Sequence, residues 1–226
     1  TELQITSSVG KEGISGTFMD INGPPTLISF GVGTIHADES IATELKGAGS
    51  RLILLPARRD RDGVIDFVSY RKSMGRVREL AKDKRILSAS AVGRGGVFMA
   101  VVKMAVGNRI GVTADEVLST TPEYGSVLLE ISGADPVEEL FDGVEYRNIG
   151  KTTEDPRVVD SGVLNLSLRE ILAKWEAPLE EIFPTGVEGR SPDHAATVSH
   201  GKRSGISPAV KTAKPRILIP TFPGTN

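Results

Sequence analysis

Two glycine-rich segments contain the residues whose types and spacing could bind an anionic ligand. The first, residues 10–16, reads G-K-E-G-I-S-G and includes Lys11 and Ser15. Flexible backbone N–H donors, an ammonium group and a hydroxyl are groups that proteins use to hold a phosphate. The spacing differs from that of a P-loop, G-x-x-x-x-G-K-[ST]. A solvated hairpin turn that binds nothing is therefore the alternative interpretation.

The second segment, Gly93–Gly96, reads G-R-G-G and includes Arg94 and Gly95. It separates a predicted buried strand, residues 86–91, from an apolar stretch, residues 97–106. A helix that starts at such a turn would present backbone N–H groups to an anion, with no Cβ in the way. A glycine-rich turn is a weak signal on its own, so a tight strand-to-helix turn without a ligand stays open as the alternative.

The apolar stretch predicts a helix that is buried on nearly every side, because Lys103 is its single charged residue. We expect Gly107 and Asn108 to supply the left-handed residue that ends this helix. Upstream, Asp66 is expected to cap a helix whose apolar residues recur every three or four positions. These elements would hold the Gly93–Gly96 turn beside the hydrophobic core.

Two further helices are predicted in the second half of the chain. Asp135, which precedes a proline, is expected to cap a short helix over residues 137–141. Residues 167–170 read S-L-R-E, the sequence of a capping box at the start of an amphipathic helix. A proline inside its apolar pattern predicts a break near Ala177. Trp175 lies on the apolar stripe and is expected in the core.

The composition argues against several functional classes. The chain has 226 residues, a net charge of −2 and 5% aromatic residues, whereas a nucleic-acid surface needs clustered Lys and Arg with stacking rings. It has no cysteine, which excludes disulfides, thiolate zinc sites and a cysteine nucleophile. No histidine or carboxylate pair has metal-ligand spacing, so no metal site is predicted. Without a membrane-length apolar run or a secretory leader, we expect a cytoplasmic protein with no membrane or nucleic-acid partner.

Five segments resemble, in this order, the large fused form of phosphoribosylformylglycinamidine synthase. They are GKEGISGTF, PPTLISF, the G-R-G-G turn with its helix, LREILAKW and PRILIPTFPGTN, at residues 10–18, 24–30, 93–106, 168–175 and 215–226. The first and last are the most specific, while the central turn is shared with the wider aminoimidazole ribonucleotide synthetase superfamily. The resemblance covers nearly the whole chain.

The resemblance implies an α+β fold in which a mixed sheet is layered with helices, as in the C-terminal domain of aminoimidazole ribonucleotide synthetase. It also implies three parts. Residues 1–36 would be the last strands of an N-terminal-type synthetase domain, and residues 37–184 a C-terminal-type synthetase domain. Residues 185–226 would be a linker and the first strand of a truncated glutaminase domain.

The activity implied by the resemblance is that of an ATP-dependent carbon–nitrogen ligase with glutamine as amido donor. The family forms formylglycinamidine ribonucleotide in purine biosynthesis. ATP phosphorylates the amide oxygen of the precursor, and ammonia released from glutamine displaces the phosphate. The parent enzyme would use ATP and Mg²⁺, and the partners of this chain would be the remaining synthetase and glutaminase domains. The chain alone would be inactive.

The sequence departs from the family at the central turn. The family pattern H-D-x-S-D-G-G-L is here S-A-V-G-R-G-G-V, so Ala91 replaces a magnesium-binding Asp and Gly93 a nucleotide-contacting Ser. An alanine side chain cannot coordinate Mg²⁺, which requires oxygen ligands. Arg94, in place of another Asp, would offer positive charge to a phosphate or a neighbouring carboxylate.

We therefore hypothesise a degenerate auxiliary nucleotide site that has lost its metal and contains no catalytic residue. Its candidate residues are Lys11, Ser15, Gly93, Arg94, Gly95 and Gly96. Two alternatives are a non-catalytic interaction module that docks a glutaminase, and another ATP-dependent member of the same superfamily.

Overall fold

A computed structural model of the chain describes residues 11–12, 16–24, 27–28, 33 and 35–186. The chain divides into two compact units, Thr1–Phe183 and Pro184–Asn226, and only residues 184–186 of the second are described. Ser15 and most of the predicted linker and terminal strand, from residue 187 onward, lie outside the described residues. The division into three domains stays a prediction.

The described residues form eleven strands, four α-helices and one 3₁₀ turn. The strands are β1 (Lys11–Glu12), β2 (Thr17–Phe18), β3 (Ile21–Asn22), β4 (Leu27–Ile28), β5 (Arg51–Leu55), β6 (Ile86–Ala91), β7 (Gly111–Ala114), β8 (Val127–Ile131), β9 (Arg147–Thr153), β10 (Arg157–Val159) and β11 (Asn165–Ser167). The helices are α1 (Phe67–Lys82), α2 (Gly96–Asn108), α3 (Val137–Leu140) and α4 (Leu168–Glu176), with a 3₁₀ turn at Ala37–Glu39. No helix in this part of the chain has the length and apolar character needed to cross a bilayer.

Strands β5 to β11 form one mixed sheet of seven strands, in the order β11-β10-β7-β9-β5-β8-β6. Strands β10 and β7 run parallel, and the other neighbours are antiparallel. The short strands make two separate antiparallel pairs, β1 with β4 and β2 with β3. The predicted layering of a mixed sheet with helices is confirmed.

Both faces of the large sheet are covered by helices. Successive side chains of a strand point to opposite faces, and β5 therefore contributes to two separate hydrophobic clusters. Leu52 and Leu54 pack with residues of α2 and α4, whereas Ile53 and Leu55 pack with residues of α1 and α3. Strand β5 lies next to the middle strand of the sheet and is buried on both faces.

Helix α2 is the central core helix that the sequence predicts. Val101, Met104 and Ala105 have no exposed surface, and Lys103 is exposed to solvent on the remaining side. One narrow side of this helix contacts solvent. The long side chain of Lys103 lies there and keeps its ammonium group in water.

The predicted end of α2 is wrong by one or two residues. Gly107 and Asn108 remain helical, and Arg109 takes the left-handed conformation with φ 55°. The Asn108 side-chain amide donates a hydrogen bond to the Leu45 carbonyl at 2.8 Å, which fixes this last turn against the preceding loop. The Arg109 N–H then closes on the Ala105 carbonyl as a helix-ending bond.

Of the two other helix starts described here, one confirms the predicted cap and the other does not. Asp66 caps α1 by accepting hydrogen bonds from the backbone N–H groups of Val68 and Ser69. Asp135 does not cap α3, since its carboxylate pairs with Arg85 at 2.8 Å and the cap position is taken by the following proline.

Helix α4 ends where the proline predicts but is buried less than expected. Ser167 is its N-cap residue without a side-chain hydrogen bond to the helix, and Ala177 ends it. Trp175 is 51% exposed, so its predicted place in the core is wrong. The helix packs on the core through Leu168 and Ile171 at its first turn, and Trp175 is not part of that core cluster.

Candidate functional site

The Gly93–Gly96 turn joins the end of β6 directly to the start of α2. Gly95 and Gly96 both have positive φ angles, 84° and 62°, which other residues adopt only with strain. A Cβ on Gly96 would lie 2.4 Å from the carbonyl oxygen of Ser119 and 2.5 Å from that of Thr121. The glycine at this position is therefore required by the close approach of the chain's own backbone.

Two of the backbone donors at the start of α2 are engaged within the chain. The Gly96 N–H donates to the Gly93 carbonyl, and the Phe98 N–H donates to the Ser119 carbonyl, both at 3.0 Å. The first N–H groups of a helix are the ones that bind an anionic ligand. Because a protein carbonyl already satisfies Phe98, the turn presents fewer donors to a phosphate than the sequence suggests.

The segment that carries Ser119 is itself anchored, by the carboxylate of Asp160. This carboxylate accepts hydrogen bonds from the backbone N–H groups of Leu118, Gly162 and Leu164, at 3.2, 2.9 and 3.1 Å. Desolvation raises the pKa of Asp160, but these three donors outweigh it and hold the pKa below its ordinary value. The capping carbonyl is thus fixed through the hairpin that joins β10 to β11.

The side chains around the turn carry positive charge and aromatic surface. Arg94 is exposed, and the ring of Tyr124 would lie 3.6 Å from a Cβ on Gly93. Arg59 donates hydrogen bonds to the carbonyl oxygens of Gly63 and Tyr124, at 2.7 and 2.6 Å, and so ties the loop before α1 to the loop before β8. The turn lies beside the second of these loops, through Tyr124.

The chemistry of the turn does not suit a divalent cation. Ala91, at the end of β6, offers no side-chain oxygen, and Arg94 offers positive charge. Within the described ranges there is no group of three or more His, Asp or Glu side chains arranged to hold a metal ion. Mg²⁺ requires oxygen ligands in near-octahedral geometry, and the residues of this turn do not provide them.

The first glycine-rich segment is described only in part. Lys11 lies in β1, opposite Ile28 of β4, so this end of the segment belongs to a two-stranded sheet. Ser15 lies outside the described residues. Gly93, Arg94, Gly95 and Gly96 lie together because they are consecutive in the sequence. The proximity of Lys11 and Ser15 to them stays a prediction.

The sequence reasoning missed one buried carboxylate in the sheet. Glu130, in β8, has no exposed surface. It accepts hydrogen bonds from the Lys46 backbone N–H at 2.9 and 3.1 Å and from the Ser88 hydroxyl at 2.7 Å. The available signal was one acidic residue inside an apolar strand, V-L-L-E-I. Its role is structural, since its partners fix the loop before β5 to the sheet.

Asp160 was missed as well, although a local signal was available. It begins the sequence D-S-G, residues 160–162, which is typical of an Asx turn. The sequence alone gives no sign that its second carboxylate oxygen reaches Leu118, 42 residues away in the chain.

No protein-family model matches the chain. In two strains of Thermus thermophilus, phosphoribosylformylglycinamidine synthase subunit PurL is 24% identical to it over 188 aligned residues. The alignment covers 71% of this chain and 26% of the relative.

Among solved structures, phosphoribosylformylglycinamidine synthase II from Thermotoga maritima matches with a TM-score of 0.51 and 13% identity. The match covers 60% of this chain and 28% of that one. A structure of PurL from the same organism complexed with ATP matches with a TM-score of 0.48 and 14% identity. The chain thus spans about a quarter of the length of these PurL proteins.

These comparisons establish the fold and a distant relationship. The chain is distantly similar to PurL over most of its length. Its seven-stranded mixed sheet and helices form a fold of the aminoimidazole ribonucleotide synthetase type, which confirms the predicted fold class.

Proposed function

We propose that the chain is a structural part of an ATP-dependent carbon–nitrogen ligase of the PurL type, carrying a degenerate auxiliary nucleotide site. The parent enzyme would form formylglycinamidine ribonucleotide from its amide precursor, ATP and glutamine. The distant similarity to PurL supports the reaction class. The remaining synthetase and glutaminase portions of the parent polypeptide would be the partners of this chain.

The observation that carries this proposal is the hydrogen bond from the Phe98 N–H to the Ser119 carbonyl, at 3.0 Å. A helix start that binds a nucleotide phosphate keeps its N–H groups for the ligand. Here the glycine at position 96 serves the close approach of Ser119 and Thr121. The turn has therefore kept its glycines for packing within the chain.

The residues assigned to the degenerate site would act only through weak electrostatics. Lys11 and Arg94 would attract a phosphate, Ser15 would donate a hydroxyl hydrogen bond, and the three glycines of the turn would shape the backbone. ATP would be held in the parent enzyme, and Mg²⁺ does not fit the turn because Ala91 and Arg94 supply no oxygen ligand. No catalytic step is assigned to these residues.

An activity assay of the chain by itself tests the functional assignment. The chain is supplied with the amide precursor, ATP, Mg²⁺ and either glutamine or ammonia, and product formation is followed. We expect no product with either nitrogen source. Turnover by the chain alone would contradict the assignment, and binding of the chain to a glutaminase without any change in the turnover of the parent synthetase would favour an interaction module instead.

A further inference from the structure

A cavity of about 330 Å³ lies between the end of α2 and the start of α4. Its walls are mostly apolar, and the side chains that line it include Val106 of α2 and Leu168 and Leu172 of α4. Sites for small molecules have volumes in this range, and they are usually apolar clefts in which a few polar groups orient the ligand. The cavity therefore has the size and the walls of a small-molecule site.

Two arginines provide the charge at this cavity. Arg109 directly follows the last residue of α2 and Arg169 lies in the first turn of α4, so their guanidinium groups belong to different walls. Neither belongs to an ion pair found among the described residues. The described residues that line the cavity include no carboxylate to balance these two charges. An anionic group on the ligand would supply that balance.

A serine hydroxyl is the remaining polar group of the lining. Ser167 is the N-cap residue of α4, but its side chain makes no cap hydrogen bond to the helix. The Leu168 N–H, the first of the helix, donates instead to the Pro156 carbonyl at 3.0 Å. The Ser167 hydroxyl is therefore available to a ligand in the cavity, beside the two arginines.

A second apolar cavity, of about 240 Å³, continues the first. It shares Val106 and Leu172 with the first cavity and extends to Trp175, and Lys103 is the charged residue of its lining. Trp175 is 51% exposed, so its indole ring forms an open wall. Because the two cavities share lining residues, they form one apolar surface with a cationic end, which we call the α2–α4 cleft.

We propose that the α2–α4 cleft binds a small amphipathic anion, a molecule with one carboxylate or phosphate head group on an apolar body. Arg109 and Arg169 would hold the head group, because guanidinium groups bind carboxylates and phosphates through paired, charge-assisted hydrogen bonds. The Ser167 hydroxyl would add a further hydrogen bond. The apolar body would lie along the shared wall that Val106 and Leu172 form.

The size of the cleft favours a small molecule over a segment of another protein. A stable protein–protein contact buries about 800 Å² on each partner, and it needs a longer surface than two cavities of this volume present. The cleft is also separate from the Gly93–Gly96 turn, because the thirteen residues of α2 place about 20 Å of helix between them. Binding in the cleft is therefore independent of the proposed function.

Calorimetric titration of the full 226-residue chain with octanoate, below the concentration at which it forms micelles, tests the proposal. We expect one saturable site with a dissociation constant of about 1 mM or lower, as the ten non-hydrogen atoms of this ligand allow. Octyl phosphate shows which of the two head groups is preferred. Octanol and octylamine have the same apolar body, and they should bind at least about tenfold more weakly because they lack the negative charge.

Three substitutions in the cleft make the test specific. Arg109→Gln and Arg169→Gln should each weaken octanoate binding by about tenfold, the loss expected for one charged hydrogen-bonding group, and leave octanol binding unchanged. Val106→Phe should weaken the binding of both ligands because it fills the shared wall. Arg78→Gln is the matched control, since Arg78 is exposed on α1 and belongs to none of the ion pairs of the described residues. Urea unfolding confirms that each variant is folded.

Trp175 gives a second measurement, because it is the only tryptophan of the chain and lines the cleft. As octanoate saturates the site, the emission of Trp175 should shift to shorter wavelength and its quenching by acrylamide should decrease. Both changes should follow the same concentration dependence as the heat of binding.

Three results would overturn the proposal. The first is an absence of saturable octanoate binding up to about 10 mM, well above the dissociation constant expected for a ligand of this size. The second is octanol or octylamine binding as tightly as octanoate, or a loss on Arg109→Gln and Arg169→Gln no larger than that on Arg78→Gln. The third is tight binding of an acidic, apolar peptide that octanoate does not displace, because the cleft would then be a protein-docking surface.

Discussion

At the scale of single residues, the turn is held by a short series of hydrogen bonds that begins far from it in the sequence. The Asp160 carboxylate fixes the Leu118 N–H, and the neighbouring Ser119 carbonyl caps the Phe98 N–H at the start of α2. Gly96 permits this contact because it has no Cβ. Each residue acts through geometry rather than through chemistry on a ligand.

Gly96→Ala should destabilise the fold by about 2–4 kcal/mol. An alanine at φ 62° is strained, and its Cβ would lie 2.4 Å from a backbone oxygen that cannot move aside easily. Gly75→Ala is the matched control, since nothing lies within 4 Å of a Cβ at that helical position and alanine favours helix. Urea unfolding measures both variants, and equal stability of Gly96→Ala and the parent chain would contradict the close approach.

Glu130→Ala should cost about 3 kcal/mol of unfolding free energy. The substitution leaves the Lys46 N–H and the Ser88 hydroxyl without their acceptor and opens a cavity in the sheet. The exposed Glu138→Ala should change stability by no more than about 0.5 kcal/mol. Similar small effects for both substitutions would mean that the buried carboxylate does not hold the loop.

The lowered pKa of Asp160 predicts a specific pH dependence of the free energy of unfolding. Its pKa is lower in the folded chain than in the unfolded chain, so its contribution is fully present above the unfolded pKa and disappears as the pH falls through the folded pKa. Asp160→Asn should therefore be less stable than the parent chain at neutral pH, and the difference should shrink on acidification. Thermal unfolding of both proteins between neutral and strongly acidic pH measures this difference in stability. A difference that grows on acidification would contradict the prediction.

At the scale of elements, hydrophobic pattern determines which segments form helices and strands, and tertiary contacts determine where they end. The apolar run before Arg109 predicts α2 and its burial, and the carboxylate at Asp66 predicts the start of α1. The end of α2 was placed too early because the bond from Asn108 to Leu45 joins positions 63 residues apart. Asp135 was misassigned for the same kind of reason, since its ion pair with Arg85 spans 50 residues.

The candidate site could be predicted only as a segment. The glycines of residues 93–96 mark the turn, because local backbone conformation requires them. The contact that caps α2 could not be predicted, since it depends on how residues 118–121 return to the turn after β7. Trp175 was placed in the core because periodicity identifies the apolar face of α4 without saying what packs against it.

At the scale of the whole molecule, the chain has a fold of the aminoimidazole ribonucleotide synthetase type, and we propose that a former nucleotide site of this fold has become part of the packing. The sheet, its two helical layers and the glycine turn are present, whereas the positions at which the family resemblance places carboxylates hold Ala91 and Arg94. The chain spans about a quarter of the length of its PurL relatives, and we propose that it contributes this scaffold to a larger enzyme.

Calorimetric titration of the full chain with ATP, in the presence and in the absence of Mg²⁺, tests this central claim most directly. PurL of Thermotoga maritima, which has been crystallised with ATP, serves as the positive control. We expect little or no binding heat from this chain, with no dependence on Mg²⁺. Micromolar binding of ATP that requires Mg²⁺ would contradict it.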